Sequence, residues 1–312
     1  MTTFAFVFPG QGSQTVGMLD AWGDHAAVRD TLAEASQALG EDLGRLIHGG
    51  PKEQLDLTTN TQPVMLAAAV ACYRAWMAET GLTPAVVAGH SLGEYSALVA
   101  AGSLTLADAL PLVRFRAQAM QEAVPVGAGA MAAILGLDAE IVRATCEEVA
   151  AAVGEPVSAA NYNDPKQTVI AGSKAAVDQA CEALKGRGAK RALPLAVSAP
   201  FHCSLMKPAA DRLKDRLAAV TIHTPQIPLV NNIDVAVQTE PDAIREALYR
   251  QAFGPVRWVE IVQAIRARGA THLIECGPGK VLAGLAKRID AELTVGNVLD
   301  PATLAEAKGM LA

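Results

Sequence analysis

Short, wholly apolar runs alternate along the chain with longer stretches whose apolar residues recur at helical spacing. The first run is Phe4–Phe8, five apolar residues with no polar alternation, the mark of a strand buried on both faces. Comparable strands are expected at Ala85–Ala88, after the Gly81/Pro84 breaker, and at Thr271–Glu275. Helical spacing covers Ala26–Leu39, Gln62–Glu79, Glu94–Ala101 (stopped by Gly102) and Lys280–Ile289. A further helix runs from Thr105 to Glu122. Thr105 with Asp108 predicts a capping box at its start, and Pro111 predicts a kink inside it. Strands alternating with helices imply an α/β fold with a mostly parallel sheet covered by helices.

The pattern changes at Pro125–Ala130, "PVGAGA". From there it reads strand Met131–Leu135, helix Asp138–Ala151, strand Pro156–Tyr162 and a turn at Asn163-Asp164-Pro165. Strand Gln167–Ala171, helix Lys174–Lys185 and strand Arg191–Val197 follow. This β-α-β-β-α-β order predicts a ferredoxin-like α+β subdomain. It is inserted, because the larger pattern resumes after Pro200. The expected division is a discontinuous core of residues 1–125 and 198–312, interrupted by a subdomain of residues 126–197.

At 312 residues and 51% hydrophobic, the chain can bury a large core. The net charge of -6 supplies no positive field to neutralise phosphates, which argues against nucleic acid as a partner. The five cysteines are scattered, odd in number and form no C-x-x-C, so neither a disulfide scaffold nor a zinc site is expected and the cytoplasm is the natural compartment. "FAFVF" has no basic residue ahead of it and reads as a strand rather than a signal peptide. The apolar run Pro63–Tyr73 is too short to span a bilayer, and no membrane partner is expected.

The candidate chemistry centres on Gly89-His90-Ser91-Leu92-Gly93, a G-x-S-x-G sequence between a predicted strand and a predicted helix. That context is a nucleophile elbow, in which a sharp turn lifts a serine hydroxyl out of the fold. The serine needs a base. His25, His48, His223 and His272 read as surface or structural residues. His90 adjoins Ser91 and diverges from it. His202 in "SAPFHCSLM" follows a strand and a proline bend, at the strand ends where reactive groups gather in parallel sheets, and is the leading candidate. Its neighbour Cys203 is expected to be buried and inert. "PGQGSQ", from Pro9, fails as a dinucleotide loop because Thr15 replaces the third glycine, and Gly277–Lys280 lacks the features of a Walker loop. A glycine loop beside an elbow can instead aim an amide at an oxyanion, with the Leu92 N–H as second donor.

Together these segments closely resemble the bacterial malonyl-CoA:acyl carrier protein transacylase family. The resemblance runs through "FVFPGQGSQTVGM", "NTQPVML", "GHSLGEYSALVAAG", "MQEAVPVGAGAMAAILGL", "YNDPKQTVIAG", "AKRALPLAVSAPFHCSLMKPAAD", "PLVNNIDV" and "ECGPGKVLAGL". It implies a hydrolase-like core and a ping-pong transfer. Ser91 takes malonyl from malonyl-CoA and passes it to the phosphopantetheine thiol of holo acyl carrier protein, supplying fatty-acid or polyketide chain elongation. It further implies His202 as base, oriented by the backbone carbonyl of Gln251, and amides of Gln11 and Leu92 as the oxyanion hole. Asn161 and Asn163 would line the site.

A malonyl carboxylate calls for a bidentate arginine. Arg114 and Arg116 flank the apolar stripe of their helix on opposite sides, and helix geometry does not choose between them; the resemblance picks Arg116. Phe201 stands where fatty-acid members more usually carry a small residue, and is more similar to malonyl-selective polyketide acyltransferases. Its ring predicts poor transfer of branched methylmalonyl. No metal or bound cofactor is implied, malonyl-CoA being a substrate, and a monomer is expected. An acidic carrier would need local basic surface. Lys185, Arg187, Lys190 and Arg191, with Lys280, Lys287 and Arg288 further on, are candidates. The rival reading is a thioesterase or esterase using the same Ser91 and His202.

Overall fold

A computed structural model describes residues 2–312. Among the described residues nine strands form two sheets: β1 Phe4–Phe8, β2 Val86–Gly89, β3 Gly129–Leu135, β4 Val157–Asp164, β5 Gln167–Ser173, β6 Arg191–Pro194, β7 Leu229–Val230, β8 His272–Cys276 and β9 Thr294–Val298. The larger sheet has the order β7-β2-β1-β8-β9, and each of its strand pairs is parallel. β1 is central and entirely buried. Phe4, Phe6 and Phe8 face one layer, against Trp76 and Tyr73, while Ala5 and Val7 face the other, against Val262 and Leu273. A strand buried on both faces needs no polar alternation, which is why its sequence shows none.

The smaller sheet has the antiparallel order β4-β5-β3-β6, with the helices Ala139–Val153 and Lys174–Gly186 packed on one face around Ile134, Val142, Ile170 and Leu184. This is the ferredoxin-like arrangement expected from element order. Its edge strand β4 is joined to the segment after residue 251 of the core: Tyr162 N–H donates to the Val256 carbonyl at 2.9 Å and Val256 N–H to the Ala160 carbonyl at 2.9 Å.

Three expectations are corrected in detail. β4 continues through Asn163 and Asp164, so the hairpin turn is Pro165-Lys166, with bulges next to Ala159 and Tyr162. β6 ends at Pro194 rather than Val197: the Leu195 N–H still donates to the Met131 carbonyl at 2.9 Å, and the chain then turns on itself, the Val197 N–H donating to the Leu195 carbonyl at 3.0 Å. The helix Leu106–Ala123 runs unbroken past Pro111; Thr105 caps it by accepting from the Asp108 N–H at 3.1 Å, but the Asp108 carboxylate accepts from the Thr105 hydroxyl instead of the Thr105 amide, so the reciprocal half of the box is absent. Among the described residues no helix is long and apolar enough to cross a membrane.

Candidate active site

β2 leaves the large sheet at Gly89 and turns through His90 and Ser91 into the helix Gly93–Ala100. The turn is tight enough to forbid side chains on both glycines. A Cβ on Gly89 would lie 1.9 Å from the Gly93 carbonyl carbon, and one on Gly93 would lie 2.1 Å from the Phe8 carbonyl oxygen. Ser91 itself is held at φ +53°, a left-handed conformation unusual for serine. The Gly93, Glu94 and Tyr95 amides turn inward to the carbonyls of His90, Ser91 and Leu92. The Leu92 N–H, at the cavity wall, has no protein acceptor among the described residues. Gln11, in the glycine loop after β1, lines the same cavity and is fixed by a 2.9 Å bond from its Nε2 to Thr58 Oγ1.

His202 reaches this serine from the loop after Pro200. Its Nε2 lies 2.6 Å from Ser91 Oγ, and its Nδ1 lies 3.0 Å from the Gln251 carbonyl and 3.1 Å from the Gly254 carbonyl. Carbonyls only accept, so Nδ1 carries the proton and Nε2 presents its lone pair to the hydroxyl. Burial, with the positive charges of Arg116 and His90 adding to it, pushes the imidazole down to about 3. It is therefore neutral at physiological pH, as a general base must be. His90 is engaged elsewhere: Nε2 bonds Asn163 Oδ1 at 2.8 Å and the ring packs on Trp258. Cys203 is buried, donates to the Pro200 carbonyl and has its thiol pushed up to about 11 by burial, as an inert cysteine should.

The structure separates the two arginines that helix geometry left open. Arg114 pairs with Glu41 at 2.6 Å, away from the serine. Arg116 is buried and donates to Gln62 Oε1 at 2.8 Å, Gln251 Oε1 at 3.1 Å and Ser91 Oγ at 3.3 Å, with its guanidinium 5.5 Å from the Tyr95 ring centre. Asn161, Asn163 and Phe201 join Ser91, His202 and Arg116 around a cavity of about 460 Å³. Gly277–Lys280 forms a tight turn against the first loop, where a Cβ on Gly279 would lie 2.8 Å from Ser13 Cβ.

Residues 5–294 match the acyl transferase domain family. The chain belongs to that family. It is 56% identical to the malonyl CoA-acyl carrier protein transacylase of Escherichia coli strain K12, over 98% of this chain and 99% of that one. Its identity to the protein of the same name from Bacillus subtilis is 46%, over 97% and 96% of the two chains. The crystal structure of an acyl-carrier-protein S-malonyltransferase from Burkholderia pseudomallei superposes with a TM-score of 0.96 at 65% identity, covering 98% and 99% of the two chains. A type II PKS acyl carrier protein in complex with its malonyl-transacylase gives 0.96 at 52% identity over 98% and 99%.

Around the serine of this acyl transferase stand residues that motif reading passes over. Gln62 and Gln251 hold Arg116 through their side chains, Gly254 shares the His202 proton with Gln251, and Glu94 and Asn232 support Ser91 from behind. Glu94 alone had a signal in sequence, as the one charge in the helix directly after the elbow.

Proposed function

We propose that the protein transfers the malonyl group of malonyl-CoA to the phosphopantetheine thiol of holo acyl carrier protein through a malonyl-Ser91 intermediate, supplying fatty-acid or polyketide chain elongation. One observation carries the choice of acyl group. Arg116 is a buried cation whose direct partners, among the described residues, are neutral: Gln62, Gln251 and the Ser91 hydroxyl. Glu94 acts on it only from behind the Gln251 amide, so among the described residues no carboxylate touches the guanidinium, and one arriving beside the nucleophile would lower the cost of the buried charge.

In the first half-reaction Ser91 Oγ attacks the thioester carbonyl while its proton passes to His202 Nε2. The Gln251 and Gly254 carbonyls, already bonded to Nδ1–H, stabilise the imidazolium that forms. Amides of Leu92 and Gln11 take the oxyanion, each such donor being worth about 10²–10³ in rate. The imidazolium then returns its proton to the departing coenzyme A thiolate. The second half repeats these steps with the carrier's thiol as attacking group. Asn161 and Asn163 line the acyl pocket, and the Phe201 ring limits the space beside the α-carbon. No metal or bound cofactor is called for. We further read residues 126–197 as a subdomain inserted in a core of 1–125 and 198–312, and the protein as a cytoplasmic monomer; five buried, unpaired cysteines support a reducing compartment.

A thioesterase or esterase would use the same Ser91–His202 pair, but has no need of Arg116; the relatives' names also favour transfer. Intact-mass measurement after mixing with malonyl-CoA, followed by a chase with holo carrier or buffer, separates the two. The expected adduct maps to Ser91, persists in buffer and moves to the carrier. Loss at equal speed in buffer would mean hydrolysis. Ser91→Ala should take no label. Arg116→Ala should lose malonyl-CoA labelling by about 10²-fold, from the charge-assisted bonds removed, while still accepting acetyl-CoA.

A further inference from the structure

Behind the nucleophile, away from the cavity, lies a cluster of buried polar side chains that the transfer chemistry does not use. Glu94 is 2% exposed, and its Oε2 accepts two bonds: from the Asn232 backbone N–H at 3.0 Å and from Gln251 Nε2 at 3.1 Å. Each of those partners grips Ser91. Asn232 Oδ1 accepts from the Ser91 N–H at 2.7 Å, while Asn232 Nδ2 donates to the Gly89 carbonyl at 2.6 Å. Gln251 Nε2 donates also to the Ser91 carbonyl at 2.9 Å. The strained Ser91 is thus held at both its N–H and its C=O by the side chains of two residues that meet at one carboxylate oxygen, Asn232 through its backbone N–H and Gln251 through its side-chain amide. A left-handed non-glycine residue such as Ser91, at φ +53°, is strained and persists only when its surroundings over-determine it.

The same oxygen also sets the direction of an amide. Gln251 Nε2 donates to the Ser91 carbonyl, which can only accept, and to Glu94 Oε2, and its Oε1 is turned to Arg116 Nη2, which can only donate. We infer that Glu94 is a positioning residue: by accepting from Asn232 and Gln251 at a single oxygen, it fixes the geometry of Ser91 and aims Arg116 at the acyl carboxylate. This rests on the malonyl-transfer reading above. Asn232 shares the first task and has no contact with Arg116, so the two residues leave different signatures.

The test compares single-turnover acylation of Ser91 by malonyl-CoA and by acetyl-CoA in three variants whose folding is checked by thermal unfolding. Glu94→Met keeps volume and removes the acceptor; we expect acylation to slow by about 10²-fold and the malonyl-over-acetyl preference to fall by roughly tenfold. Glu94→Gln keeps an acceptor oxygen and should restore most of the rate and the preference. Asn232→Ala should slow acylation by both donors alike and leave the preference intact. A Glu94→Met protein with wild-type rate and preference overturns the inference, as does a Glu94→Gln protein impaired as badly as Glu94→Met, which would make the charge and not the acceptor decisive. Wild-type protein that forms no malonyl-Ser91 would instead overturn the malonyl-transfer reading itself.

Discussion

His202 is the residue whose protonation the mechanism cannot tolerate, and its surroundings keep it neutral. Burial first, then the Arg116 and His90 charges, hold it at about 3 against an ordinary 6.5. Since the neutral imidazole is the base, acylation of Ser91 by malonyl-CoA should stay level from about pH 8 down to about pH 5. Burial pushes the Glu94 carboxyl up to about 7, so a bend near 6.5 in the single-turnover profile that survives in Glu94→Gln would place the imidazole in a wetter site than the structure shows, and one that this variant removes would belong to Glu94. The sign for stability is that of a paired carboxylate and opposite to that of a histidine paired with an acid, because the folded-state value lies below the unfolded one. Between about 3 and 6.5 the unfolded chain binds this proton and the native state does not, so this group makes the fold less stable as the pH falls through that window. Ser91 and His202 were legible because an elbow glycine pattern and a post-strand histidine are local signals. Gln62 and Asn232 act only through contacts 54 to 143 residues apart in the chain, and Glu94, though visible as a lone charge after the elbow, takes its role from contacts 138 and 157 residues away, which spacing cannot express.

At the scale of elements, the elbow depends on two glycines more than on the serine between them. A methyl on Gly93 would lie 2.1 Å from the Phe8 carbonyl oxygen, and backbone at the centre of the sheet has nowhere to move. Gly93→Ala should therefore cost about 3 kcal/mol or more, seen as a drop in thermal midpoint together with lost acylation. Gly81→Ala is the control: it ends a helix at φ +65° with no atom within 4 Å, so its cost is backbone strain alone. The elements legible in sequence were those with a strong period or a breaker, such as β1, β2 and the ferredoxin-like set. The helix Thr58–Thr80 begins four residues before the expected Gln62, because its first turn is polar; Thr58, Thr61 and Gln62 are nevertheless buried, held by bonds to other segments. β7 has two residues and β9 carries a glycine, so neither presents a run long enough to read.

The whole molecule carries a charge of -6 and, on the proposed function, must still receive an acidic carrier. Folding narrows the basic residues free to do this. Lys185 pairs with Glu182, Arg187 with Glu148 and Arg288 with Asp164, while Lys287 donates to the carbonyls of Ala291 and Leu293. Lys190, Arg191 and Lys280 are exposed and have no carboxylate partner among the described residues. They also stand on segments that lead to the cavity. Arg191 begins β6, whose continuation through Leu195 and Val197 forms one wall, and Lys280 follows Gly279, which packs on Ser13 of the loop that forms another. Reversing Lys190 and Arg191 to glutamate should leave Ser91 acylation by malonyl-CoA close to wild type and slow transfer to holo carrier by roughly tenfold at low salt. The gap should narrow as ionic strength rises, because exposed charges are screened beyond about 8–10 Å near physiological salt. Equal loss in both half-reactions would assign these residues to the phosphates of coenzyme A, and no loss in either would move the carrier's footprint to the Lys280 side of the cavity.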